Sequence, residues 1–168
     1  SYNGQTWPKD GFSFKLTAKD GAPLPTTLPD GVEKLDDATL KVTAKSTTAV
    51  AFGQISYDPK VATTYKYTVE EIIPAEADKV KGVTYDEKKY DVKVEVTPKP
   101  DGTKKVEVFT KLTTEEDKDY KKASGTTAEV KFDNKYNEEG KAEVQVVKAY
   151  NGQTWPKDGF SFKLTAKD

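Results

Sequence analysis

Apolar and polar residues alternate one for one along most of this 168-residue chain. FSFKLTA (12–18), TLKVTA (39–44), AVAFGQIS (49–56), YKYTVEEI (65–72), YDVKVEVT (90–97), KVEVFTKL (105–112), AEVKFDNKY (128–136) and EVQVVKAY (143–150) all share this pattern. A period of two sends successive side chains to opposite faces of a strand, so each of these runs is predicted to be one. Turn signals separate them at Lys19-Asp20-Gly21, Pro29-Asp30-Gly31 and Pro100-Asp101-Gly102, the last expected to close a hairpin. The polar stretch 113–125 reads as a loop or one short helical turn, and no amphipathic helix of ordinary length is found. The expected class is all-β, an antiparallel sandwich whose strands each bury one face.

The pattern is also duplicated. YNGQTWPKDGFSFKLTAKD occupies 2–20 and again 150–168, an offset of 148 residues (150 minus 2). A parent protein that repeats with that period is implied. Polar NEEGKAE (137–143) marks a boundary. The predicted organisation is therefore a sandwich domain over 1–137 that lacks its first strand, a linker at 138–142, and the first strands of the next repeat at 143–168.

Composition narrows the function. The charged fraction is 33% and the hydrophobic fraction 35%, with 27 basic and 28 acidic residues interspersed. A net charge of -1 gives no basic excess for nucleic acid, and no apolar run approaches the roughly 18 residues that would span a membrane. Every basic residue is Lys, which argues against bidentate anion recognition. Cys, His and Met are all absent, which removes disulfides, Cys/His zinc sites and imidazole bases, so no cofactor or metal is expected. Most paired carboxylates fall in polar loops and read as solvated charge.

Three polar residues stand on apolar strands instead. In YKYTVEEI, Glu71 shares a face with Tyr65, Tyr67 and Val69. It is either a core carboxyl, whose pKa burial would raise, or a strand-end group that reaches water. In VKFDNKY, Asn134 shares a face with Val130, Phe132 and Tyr136, and in EVQVVKAY the β-branched run Val144, Val146, Val147 leads into Lys148. Singly, a strand Asn bonded to backbone and a Lys that snorkels would explain the last two.

The ordered set VxVxKxYNG, FSFKLTA, VAFGQISYD, TYKYTVEEI, GVTYDEKKYDVKVEV and VKFDNKYN resembles the pilin isopeptide-linkage domains, relatives of the collagen-adhesin B-type domains of Gram-positive surface proteins. The resemblance covers nearly a whole repeat, and YxYxVxE and the closing FxNxY are its most specific parts. It implies an immunoglobulin-like sandwich whose first and last strands are joined by a self-formed Lys–Asn amide, promoted by a nearby acid. By motif, Lys148 would supply the amine, Asn134 the amide carbon and Glu71 the proton shuttle. Asn137 and Glu70 are the fallback positions. Asn137 lies outside the alternating face, and Glu70 points away from Tyr67. Such a domain reacts once and is not an enzyme in the turnover sense.

The resemblance further implies a structural repeat of an adhesin stalk or pilus shaft, extracellular on the bacterial cell wall, with neighbouring repeats as partners. The motif lysine of this chain lies fourteen positions after Asn134 (148 minus 134), too close for an easy parallel return. Strand complementation is the consequence expected: EVQVVKAY of one molecule fills the first-strand place of a neighbour, head to tail. The alternative function is a ligand-binding adhesin module for a host protein or glycan, using Trp7, Trp155 or the 113–125 loop. The WPK triplets at 7–9 and 155–157 are faintly similar to a sortase-joined pilin motif, but three residues are too few to carry it and they read as a turn.

Overall fold

The computed structural model describes residues 6–137, 142–149, 151, 154 and 157–166. The chain divides into two compact units, Ser1–Asn137 and Glu138–Asp168. In the first unit the strands are β1 (Phe12–Ala18), β2 (Val32–Lys34), β3 (Thr39–Ala44), β4 (Thr63–Glu71), β5 (Val83–Thr84), β6 (Lys89–Pro98), β7 (Lys104–Leu112), β8 (Lys121–Lys122) and β9 (Lys135–Tyr136). Seven of them form one antiparallel sheet in the order β2-β3-β1-β4-β6-β7-β8, and β5 pairs with β9 alone. The unit is an all-β, antiparallel, immunoglobulin-like sandwich.

Alternation builds the core. Leu16 and Ala18 of β1, Leu40 of β3, Tyr67 and Val69 of β4, Val92, Val94 and Val96 of β6 and Val108 of β7 all bury on one face. The opposite face carries charge, for example Lys15, Lys41 and Lys93. Tyr67, 2% exposed, donates its hydroxyl to the carbonyl of Pro23, so its polar end is satisfied inside the core. The hairpin at Pro100-Asp101-Gly102 forms as expected, joining Pro98 to Lys104 in register. Gly102 takes a positive φ of 83°, and Asp101 Oδ1 accepts from the Thr103 amide at 2.9 Å. The 113–125 stretch holds one 3-10 turn, Asp117–Asp119, and then β8.

Two of the expected strands differ. Residues 49–56 and 128–133 form no ladder; 128–133 keeps the period-two burial of a strand, whereas 49–51 are exposed and the alternation starts only at Gly53. Phe52 and Ile55 from one, with Tyr57 just after it, and Ala128, Val130 and Phe132 from the other, pack against the core as its second layer. Alternation decides which side chains face a core. A ladder also needs a neighbouring strand at about 4.8 Å, and none of the described residues supplies one.

In the second unit, the expected strand 143–150 is described up to 149 and is likewise without a ladder there, and its valines are exposed: Val144, Val146 and Val147. The second copy of FSFKL (160–164) is extended and exposed at Phe160, Phe162 and Leu164. The first copy of that stretch is β1. No helix among the described residues is long and apolar enough to cross a membrane.

Candidate functional site

β4 brings Glu71 to its C-terminal end on the core face, with Tyr67 and Val69 on the same side. Phe14 of β1 stands directly opposite Glu71 in register, and its ring lies 5.1 Å from that of Phe132. Phe132 in turn meets Tyr90 edge-on at 5.4 Å. Two residues on from Phe132 comes Asn134, kept on the same face by alternation. Glu71 is 6% exposed and Asn134 4%. The two side chains meet directly: Asn134 Nδ2 donates to Glu71 Oε1 at 2.7 Å.

Of the two readings that the strand pattern left open for Glu71, the geometry is that of a core carboxyl. Burial pushes its pKa up to about 7; the hydrogen bond from Asn134 pulls the other way, and the charge of Asp86 adds to the rise. The second oxygen, Oε2, is buried and has no hydrogen-bond partner among the described residues. Leaving a buried oxygen unpaired costs roughly 1–3 kcal/mol, which makes this atom a place for one more donor.

Asn134 is gripped on its other side. The main-chain N–H of Asp86 donates to Asn134 Oδ1 at 2.7 Å. Asp86 Oδ2 accepts the N–H of Asp133 at 2.8 Å, and Asp86 Oδ1 accepts that of Lys88 at 3.1 Å. Burial alone would raise the Asp86 carboxyl, but those two amides and the Lys88 amine outweigh it and hold the pKa below the usual range. Downstream, β9 ties the same segment to β5, with Val83 opposite Tyr136 and Asn137 N–H bonded to Gly82 O at 2.9 Å. An open cleft of about 360 Å³ borders Glu71 and Asp86.

The carboxamide is oriented with its oxygen toward Asp86 and its nitrogen toward Glu71. Asp86 was not among the sequence candidates. It lies in a turn and acts partly through its main chain, which no side-chain pattern marks.

The structure thus brings Glu71 and Asn134 together. Lys148 belongs to the second unit, where it is exposed, with its Nζ 5.0 Å from the centre of the Phe160 ring. Glu70 lies on the outer face between Lys15 at 2.9 Å and Lys89 at 2.6 Å; burial is a raising influence there, but the two lysines keep its pKa low. Asn137 is exposed and engaged through its main chain. Trp7 is half-buried, edge-on to Phe12 at 5.3 Å, and Lys9 sits in a turn closed by Gly11 N–H on Pro8 O; Trp155 lies outside the described residues.

An immunoglobulin-like sandwich with a carboxyl and a carboxamide paired in its core defines the class of an isopeptide-type domain. A family model described as FctA, Spy0128-like isopeptide containing domain, matches residues 2–137. The chain belongs to that family, whose members are structural pilin domains and not turnover enzymes. Among solved structures, a mutant of the major pilin from Streptococcus pyogenes is similar at 19% identity and a TM-score of 0.39. The match covers 81% of this chain and 47% of that one, so this chain spans about half the length of that pilin. No curated protein matches.

Proposed function

We propose that the first unit is a load-bearing repeat of a pilus shaft or adhesin stalk on the Gram-positive cell wall, locked by an amide between a lysine and Asn134. The observation that carries this reading is the buried hydrogen bond between Asn134 and Glu71, with Glu71 Oε2 left for an incoming donor. The lysine is Lys148, on the exposed strand pattern EVQVVK, and the strand docks along 128–133, the segment that leads into Asn134 and lacks a ladder. Because Lys148 follows Asn134 by only fourteen positions (148 minus 134), the donor strand comes from another copy of the chain.

A lysine amine attacks only when neutral, and at a reference pKa of about 10.4 little of it is neutral at pH 7. Burial drives a proton off an amine and onto a carboxyl, so Glu71 takes it. The amine nitrogen then bonds to Asn134 Cγ, a proton passes through Glu71 to Asn134 Nδ2, and the Cγ–Nδ2 bond breaks. One amide forms and one ammonia leaves. Contact geometry supplies the effective molarity that a free amine and amide lack. A covalent tie between first and last strands lets load pass without unzipping the sheet.

A ligand-binding adhesin module is the lesser reading, since Trp7 packs on Phe12 instead of standing free with other aromatics. Intact mass under denaturing conditions tests the proposal. The wild-type chain should be lighter by one ammonia per junction and run as covalent oligomers, while Lys148→Ala and Asn134→Ala keep the full sequence mass as monomers. A wild-type monomer at full mass would contradict the bond in any form.

A further inference from the structure

The Asn134 carboxamide is held at both ends by different chemistry. A main-chain N–H can only donate, so the atom that faces Asp86 at 2.7 Å is the carboxamide oxygen. The atom that faces Glu71 is then the nitrogen, the leaving group of any acyl transfer from Asn134. Attack at Cγ pushes the carbonyl π electrons onto Oδ1, where the N–H already points. Such pre-set donors stabilise developing charge more than ground-state charge, because nothing has to reorient during the reaction.

The Asp86 side chain fixes that alignment. Only 6% exposed, it accepts the N–H of Asp133, the residue just before Asn134, and the N–H of Lys88, two residues past itself. Lys88 Nζ adds an ion pair at 3.0 Å. One residue therefore grips both main chains whose relative position sets the distance from its own N–H to Asn134 Oδ1.

We propose that the main-chain amide of Asp86 is the oxyanion donor for acyl transfer from Asn134 to a lysine amine, and that the Asp86 carboxylate is a positioning group that keeps this amide on target. This rests on the reading that Asn134 is the acyl partner. The new N–Cγ bond forms as the carbonyl π pair moves to Oδ1, the pair returns as the Cγ–Nδ2 bond breaks, and the nitrogen leaves as ammonia with a proton relayed by Glu71. Glu71 thus works at the leaving nitrogen and Asp86 at the oxygen.

Replacing Asp86 in the full chain by its α-hydroxy analogue, malic acid, exchanges the N–H for an ester oxygen and keeps the carboxylate. Ammonia loss followed by intact mass should slow by about 100-fold or more, with the folded fraction by circular dichroism and the final linkage site unchanged. Asp86→Asn, which keeps one acceptor, should slow it only a few-fold, and Asp86→Ala should approach the ester. A rate for the folded ester within about two-fold of wild type would overturn the oxyanion role, and a wild-type rate for Asp86→Ala would overturn the positioning role. Should the ester chain lose its fold, the trapped Glu71→Gln chain gives a second reading. A scalar coupling across the hydrogen bond from Asp86 N–H to Asn134 Cγ supports the proposal, and its absence in that folded chain overturns it. A wild-type chain that never loses ammonia removes the isopeptide reading and this proposal together, whereas slow ammonia loss insensitive to Asp86 removes this one alone.

Discussion

Glu71 is the residue at which burial, charge and chemistry converge. Its carboxyl keeps a proton to about pH 7 in the fold, against 4.5 for an ordinary glutamate. Folding therefore takes up a proton between those values. The stability this group contributes is complete below pH 4.5 and is lost as pH rises through 7, on the order of 3 kcal/mol. Urea melts of Lys148→Ala, which carries no motif amine, should show this fall across that window, and Glu71→Gln should flatten it. Glu71→Gln keeps the shape and hydrogen-bonding reach of the side chain but cannot carry a proton, so it should slow ammonia loss by roughly 10²–10⁴-fold. If Glu71→Gln reacts at the wild-type rate, the shuttle role is wrong.

Parity put Glu71 and Asn134 each on an apolar face but left the burial of Glu71 open, and that the two meet followed only from the resemblance to isopeptide domains. Asp86 was not legible, since its contribution comes from the main chain and from a turn. The direction of the Asn134 amide was equally hidden, because it depends on a donor 48 positions away.

Among the elements, β5 and β9 form the clasp that holds the Asn134 segment to the body. Gly82 precedes β5 with φ of 79°, and a Cβ there would lie 2.8 Å from the Asn137 carbonyl oxygen. Gly82→Ala meets both the left-handed backbone and that contact, and should destabilise the unit by about 2 kcal/mol and slow ammonia loss. Denaturant midpoints check the first, mass the second.

The same scale shows why strands were partly legible. FSFKL is a buried strand at 12–16 and an exposed extended segment at 160–164. Identical local propensity gives two outcomes, because β3 and β4 flank only the first copy. Segment 128–133 follows the same logic: its face could be read from alternation, its ladder could not. Hydrogen exchange should find the amides of 128–132 poorly protected in Lys148→Ala, and protected in wild type once a donor strand has docked, while the Asp133 amide, held by Asp86, is protected in both. Equal exchange in both chains would argue against a docking slot there.

For the whole molecule, the duplication with an offset of 148 residues would set the phase of the proposed chemistry. Lys148 stands two residues before the second YNG, so on the proposed reading a repeat would open with the amine and close with the carboxamide. A bond between them encloses more than 100 residues and limits the unfolded chain as a disulfide would, on the order of 5 kcal/mol in a chain-entropy account. In a chain without Cys, that bond would be a redox-independent staple. In tandem, such staples would leave only the short junctions extensible under load.

Peptide mapping of the wild-type chain tests the central claim most directly. After proteolysis under denaturing conditions, tandem mass spectrometry should find a branched peptide in which Lys148 Nζ is joined to Asn134 Cγ with loss of one ammonia. Linear peptides that carry both Lys148 and Asn134 unmodified, and no branched species, would contradict it.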